Sequence, residues 1–129
     1  MGGATLDEIE TNEAIKKFQK ELNGGTAALV LLGVLDKASS PMYGYQIAKL
    51  IEAQTKDVDI MKQGALYPVL RSLEATGLLQ SEVEPSVAGP PRRYYKITES
   101  GRQTLAKWIE IWQQTSNLVN AVLKGGDHE

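Results

Sequence analysis

Arg92, Arg93 and Lys96 fall in a run, residues 85–97, that contains no acid. Upstream, Lys62, Gln63, Tyr67, Arg71 and Ser72 lie in a segment where Leu66, Leu70 and Leu73 recur at helical spacing. These polar side chains are chiefly donors. Guanidinium and ammonium groups suit phosphate oxygens, while Arg matches the edge of guanine and Gln that of adenine. The chemistry on offer is recognition, with no bond-making machinery beside it. His128 is the only histidine and there is no cysteine, so no transition-metal site is expected. Ser39, Ser40 and Ser100 lack a histidine partner for a nucleophilic relay, and no phosphate-cradling glycine motif appears. Neither an enzyme nor a cofactor is expected.

The elements that would hold these donors follow from the pattern. Thr5-Leu6-Asp7-Glu8 is a capping box opening a helix over about 6–22, with Leu6, Ile9, Ile15, Phe18 and Leu22 along one face. Asn23-Gly24-Gly25 is expected to end it. A second helix, about 26–37, is apolar nearly all round and therefore a core helix. From Tyr43 to about Gln54 a helix turns Ile47, Leu50 and Ile51 inward, and a polar loop follows. The next helix begins near Lys62–Gly64, tolerates Pro68 near its start and is capped by Gly77. If Leu66, Leu70 and Leu73 are buried, Gln63, Tyr67, Arg71 and Ser72 face out. Leu78 to Glu84 and Arg92 to Ile97 read as two strands joined by a Pro/Gly loop. Thr98 caps a final helix, about 99–123, with a heptad-like seam of Leu105, Trp108, Trp112, Val119 and Val122.

The expected fold is mainly α with a two-stranded β-wing: a winged helix-turn-helix with an N-terminal helix and a long C-terminal dimerisation helix. The divisions are residues 1–24, 25–97 and 98–129. A short helix beside a basic ribbon is suited to duplex DNA, the helix reading base edges and the ribbon gripping the backbone. At 129 residues and a net charge of −2 the chain fits one domain and is no general polycation. Five acids and three bases sit in residues 1–24, so the positive potential is expected on the ribbon. The longest apolar run, residues 27–35, is too short to span a bilayer. With no cysteine, a soluble cytoplasmic protein without membrane contact is expected.

The blocks Tyr43-Gly44-Tyr45-Gln46-Ile47, Gly64-Ala65-Leu66-Tyr67-Pro68-Val69-Leu70, Leu73-Glu74 to Gly77-Leu78-Leu79, Gly89-Pro90-Pro91-Arg92-Arg93-Tyr94-Tyr95-Lys96 and Thr98-Glu99-Ser100-Gly101 resemble the PadR family of transcriptional regulators. The resemblance covers about residues 27–112 and points to the short subfamily with a single C-terminal helix. It implies a homodimeric DNA-binding regulator, more often a repressor than an activator. It also implies a role for Trp112, since some members carry there a tryptophan that sandwiches flat aromatic compounds across the dimer axis. Ala65 stands where the family often has Thr, and Lys62-Gln63 replaces a Ser-Pro-like lead-in, so a hydroxyl contact at that helix start is not transferred.

Each candidate also has a plainer explanation. The polar face of the third core helix could be merely solvated, with Tyr67 partly in the core. Arg92, Arg93 and Lys96 could be charges that protect an edge strand. Two adjacent arginines on a strand point to opposite faces, so at most one faces the domain body; Tyr94 and Tyr95 divide likewise. Leu105, Trp108, Trp112 and Val119 fit simple dimer packing, or a pocket between subunits for a planar aromatic molecule. A winged helix used only for protein interaction and a ligand sensor with a secondary DNA role are the rival functions.

Overall fold

A computed structural model describes residues 3–54 and 63–125. Its elements in chain order are α1 (Leu6–Lys37), β1 (Met42–Tyr43), α2 (Gly44–Gln54), α3 (Gln63–Ala75), β2 (Leu79–Glu84), β3 (Arg92–Ile97) and α4 (Glu99–Leu123).

The capping box forms at the head of α1. The Glu8 N–H donates to the Thr5 hydroxyl at 3.1 Å, and the Thr5 N–H donates to the Glu8 carboxylate at 2.8 Å. That second bond, then the Thr5 side chain, holds the Glu8 carboxyl below its ordinary pKa.

The expected stop at Asn23-Gly24-Gly25 is not there: α1 runs unbroken from Leu6 to Lys37. Neither glycine takes a positive φ, and the Thr26 hydroxyl donates to the Leu22 carbonyl across the pair at 2.9 Å. An interior glycine costs about 1 kcal/mol relative to alanine, whereas ending the helix would leave a full turn of carbonyls unpaired. The helix therefore crosses the division expected after residue 24.

The core gathers the C-terminal half of α1 (Ala27, Leu31, Leu32, Leu35), Ile47 and Ile51 of α2, and Leu66, Leu70 and Leu73 of α3. Leu78, Leu79, Tyr95, Ile97 and Leu105 close it. In α2 the buried stripe is Gly44, Ile47 and Ile51. Leu50, expected with them, lies at the stripe's edge and is exposed.

α3 ends as foreseen. Gly77 has φ +84°, the left-handed turn that a side chain would oppose. The Gly77 N–H donates to the Glu74 carbonyl at 3.0 Å and the Leu78 N–H to the Leu73 carbonyl at 2.9 Å, the paired bonds of a Schellman cap.

The sheet has a third member that the sequence reading lacked. β1 pairs antiparallel with β3, giving the order β1-β3-β2. β2 and β3 pair from Leu79↔Ile97 to Glu84↔Arg92, leaving residues 85–91 as the hairpin tip. At its base Thr98 joins three elements. Its hydroxyl donates to the Gly77 carbonyl at 2.7 Å and accepts from the Gly101 N–H at 2.9 Å, and its N–H donates to the Leu78 carbonyl at 3.1 Å.

Candidate nucleic-acid interface

α2 and α3 form a helix-turn-helix pair. Gln46 steadies the start of α2 by accepting from the Tyr43 N–H at 3.1 Å. Its first residue, Gly44, meets the ring of Tyr67 so closely that a Cβ there would overlap it. Tyr67 thus has one side on the α2 backbone while remaining 43 % exposed. The burial of Leu66, Leu70 and Leu73 turns Arg71 and Ser72 outward, as their spacing predicted. Pro68 sits in the second turn of α3, on the exposed side. Lys62 lies outside the described residues, and so does the side chain of Gln63, which opens α3.

Strand alternation divides the hairpin cations between two faces. Tyr95 and Ile97 are buried, so Arg93 shares the face turned toward the helices. There its Nη1 donates to the Ser81 hydroxyl at 2.9 Å, and that hydroxyl donates to the Glu74 carboxylate of α3 at 2.7 Å. Arg92 and Lys96 share the opposite face with Tyr94. The Arg92 guanidinium lies over the Tyr43 ring, 4.4 Å from its centre, and Tyr43 meets Tyr94 edge-on at 5.4 Å. The two tyrosines of β3 divide as expected, Tyr95 inward and Tyr94 half-buried.

The hairpin is less uniformly positive than its return strand suggested. Glu84 stands opposite Arg92, and Glu82 opposite Tyr94. The run without acids becomes, once paired, three cations beside two carboxylates. Only strand register could reveal this. Sequence reasoning also missed Gly44, Glu74 and Ser81. Their partners lie across turns and strands, and no local spacing signals them.

Away from this surface, α1 and α4 extend beyond the core with apolar side chains uncovered: Ile15, Phe18 and Leu22 on α1, and Ile111, Trp112, Val119 and Val122 on α4. Between them runs a groove of about 540 Å³ lined by Leu22, Leu29, Trp108, Ile111 and Trp112, with Glu21 at its side. Leu105 is buried in the core and Trp108 packs at its margin, so the expected seam splits: its first residues serve the fold and Trp112 and Val119 stand outside it. An ion pair at 3.4 Å, Arg102 to Asp36, ties the root of α4 to the end of α1. Among the described residues no helix is long and apolar enough to cross a membrane.

A three-stranded sheet with its β2–β3 hairpin beside a helix-turn-helix pair is the winged-helix fold of DNA-binding proteins. The model of the PadR-like family of transcriptional regulators matches residues 31–107. The chain belongs to this family and is a DNA-binding transcriptional regulator. It is similar to the crystal structure of a PadR family transcriptional regulator from Eggerthella lenta, with TM-score 0.73 and 28 % identity over 90 % of this chain and 97 % of that one. A transcriptional regulator of Clostridium thermocellum aligns with TM-score 0.68 and 27 % identity over 78 % and 92 %. A Mycobacterium tuberculosis transcriptional regulator is 43 % identical over 65 residues, 50 % of this chain and 57 % of that protein.

Proposed function

We propose that the chain works as a homodimeric repressor, released from its operator by a small molecule. Two copies would set their α3 helices into successive major grooves about 34 Å apart, on one side of a partly palindromic site. Lys62, Gln63, Tyr67, Arg71 and Ser72 serve the groove, Gln63 and Arg71 being the candidates for base edges. Arg92, Arg93 and Lys96 of the wing serve the flanking backbone.

The observation that carries the pairing is the uncovered apolar surface of α1 and α4. Phe18 is 64 % exposed, Trp112 44 % and Val122 68 %. All lie on two helices that outrun the core, and a second copy would cover them. The same surface supports the signal. A groove with two indoles, aliphatic walls and one carboxylate, Glu21, suits a planar aromatic cation, stacked on the rings and balanced by the acid. Binding there would alter the pairing of α1 and α4, and with it the distance between the two α3 helices.

Sedimentation of the purified chain, with selection from random duplexes followed by salt titration, tests the reading. A dimer with a steep log–log salt dependence and a large preference for the selected duplex is the expected result. A monomer without preference for any duplex would favour a protein-interaction module. For the ligand, quenching of tryptophan fluorescence by planar cationic dyes should disappear in Trp112→Ala. Absence of both quenching and any change in Tm would remove the idea.

A further inference from the structure

We propose that Glu74 is a positioning residue for DNA binding. Through the Ser81 hydroxyl it holds the Arg93 guanidinium on the α3 side of the wing, where Arg93 meets a phosphate beside the recognition helix.

Of the three hairpin cations, Arg93 alone shares the face that looks toward α3, since Tyr95 and Ile97 on that face are buried. An arginine on an exposed hairpin would ordinarily sample many rotamers. Here the chain Arg93 Nη1 to Ser81 Oγ at 2.9 Å, then Ser81 Oγ to Glu74 Oε2 at 2.7 Å, fixes it. The hydroxyl accepts from the cation and donates to the anion, so both bonds are charge-assisted. Only one of five guanidinium N–H groups need be used this way, and the rest of the fork stays available to a phosphate. The hydroxyl stands between Glu74 and Arg93, and no direct ion pair joins them among the described residues. The carboxylate therefore orients the cation without taking up its whole binding capacity. Glu74 lies on α3 three residues after Arg71, and the Tyr95 hydroxyl feels the charges of Glu74, Arg93 and Arg71 together. The chain thus reaches from the wing to the helix that carries the exposed Arg71. The inference rests on the reading of α3 and the wing as the DNA surface.

The test measures affinity and salt dependence of the full chain for a duplex recovered by selection with the wild-type protein, beside a scrambled duplex. Arg93→Ala should weaken the selected duplex roughly tenfold, as for loss of one charge-assisted hydrogen bond. It should also lower the log–log salt slope by about 0.9 per subunit. Ser81→Ala and Glu74→Ala should weaken binding comparably, and the Ser81→Ala/Arg93→Ala double variant should be no worse than Arg93→Ala alone. Ser81→Thr, which keeps the hydroxyl and suits a strand, should bind as wild type, separating positioning from folding. If Arg93→Ala weakens binding but Ser81→Ala and Glu74→Ala do not, the positioning role is overturned while the DNA surface stands. If Arg71→Ala alone weakens binding, Arg93 is only an internal strut. If neither arginine matters, the reading of α3 and the wing fails first.

Discussion

Tyr67 of α3 rests its ring on Gly44, the first residue of α2, with no space for a Cβ between them. The contact sets the exposed tyrosine at the junction of the two helices of the helix-turn-helix pair. The atoms a methyl group would strike are the hydroxyl and the far ring carbons of Tyr67, which can swing toward solvent. Gly44→Ala should therefore cost less in urea unfolding than the roughly 1–3 kcal/mol typical of overpacking. It should still weaken binding to a selected duplex, and so should Tyr67→Ala. Wild-type affinity in both variants would remove Tyr67 from the interface.

Gly101 offers the opposite case. A Cβ there would meet the Leu78 carbonyl and the Ile97 side chain, and a backbone oxygen held at the foot of the sheet cannot swing away. Gly101→Ala should destabilise by roughly 1–3 kcal/mol, read as a lower midpoint in urea. Leu70→Ala, at a fully buried position of α3, should cost about 2–5 kcal/mol by the same measurement.

Burial, and after it the Glu74 charge, raises the Tyr95 phenol above the ordinary tyrosine value of 10.0. The unfolded chain thus releases this proton first. Stability is unaffected by the group below pH 10, falls as pH rises past that value and stops falling above the folded-state pKa. Tyr95→Phe should lose less stability than wild type between neutral pH and the alkaline side of that window. Identical alkaline losses would show that folding does not shift the Tyr95 phenol.

Phe18→Asp or Val119→Asp places a charge on the uncovered surface of α1 or α4, away from the core. Either should shift the sedimenting species to a single subunit and reduce operator affinity, while leaving the winged-helix core folded as judged by circular dichroism. Persistence of the dimer in both would place the contact elsewhere.

Helical spacing made α3 and α4 legible. The leucines at 66, 70 and 73 and the capping Thr98 suffice to place both helices, and the Pro/Gly loop marks the hairpin. What escaped depended on partners distant in sequence. Gly24-Gly25 looks like a stop because glycine disfavours helix, yet backbone bonds across it keep α1 whole. β1 is two residues long, too short for any alternation to show. The distribution of Arg92 and Arg93 between faces could be foreseen, but not that one would lie over Tyr43 and the other face Ser81. Leu50 shows the limit of periodicity itself, since a residue at the margin of an apolar stripe can fall on either side of the waterline.

The Thr98 hydroxyl gathers the exit of α3, the foot of the wing and the first turn of α4 at one point, and with the Arg102–Asp36 ion pair and buried Leu105 it sets the direction in which α4 leaves the core. The 25 residues of α4, at 1.5 Å each, make a lever of roughly 38 Å. A small tilt at its root becomes a wide sweep at its far end. Conversely, anything that held the far end of α4 would fix the angle at which the winged-helix core is carried.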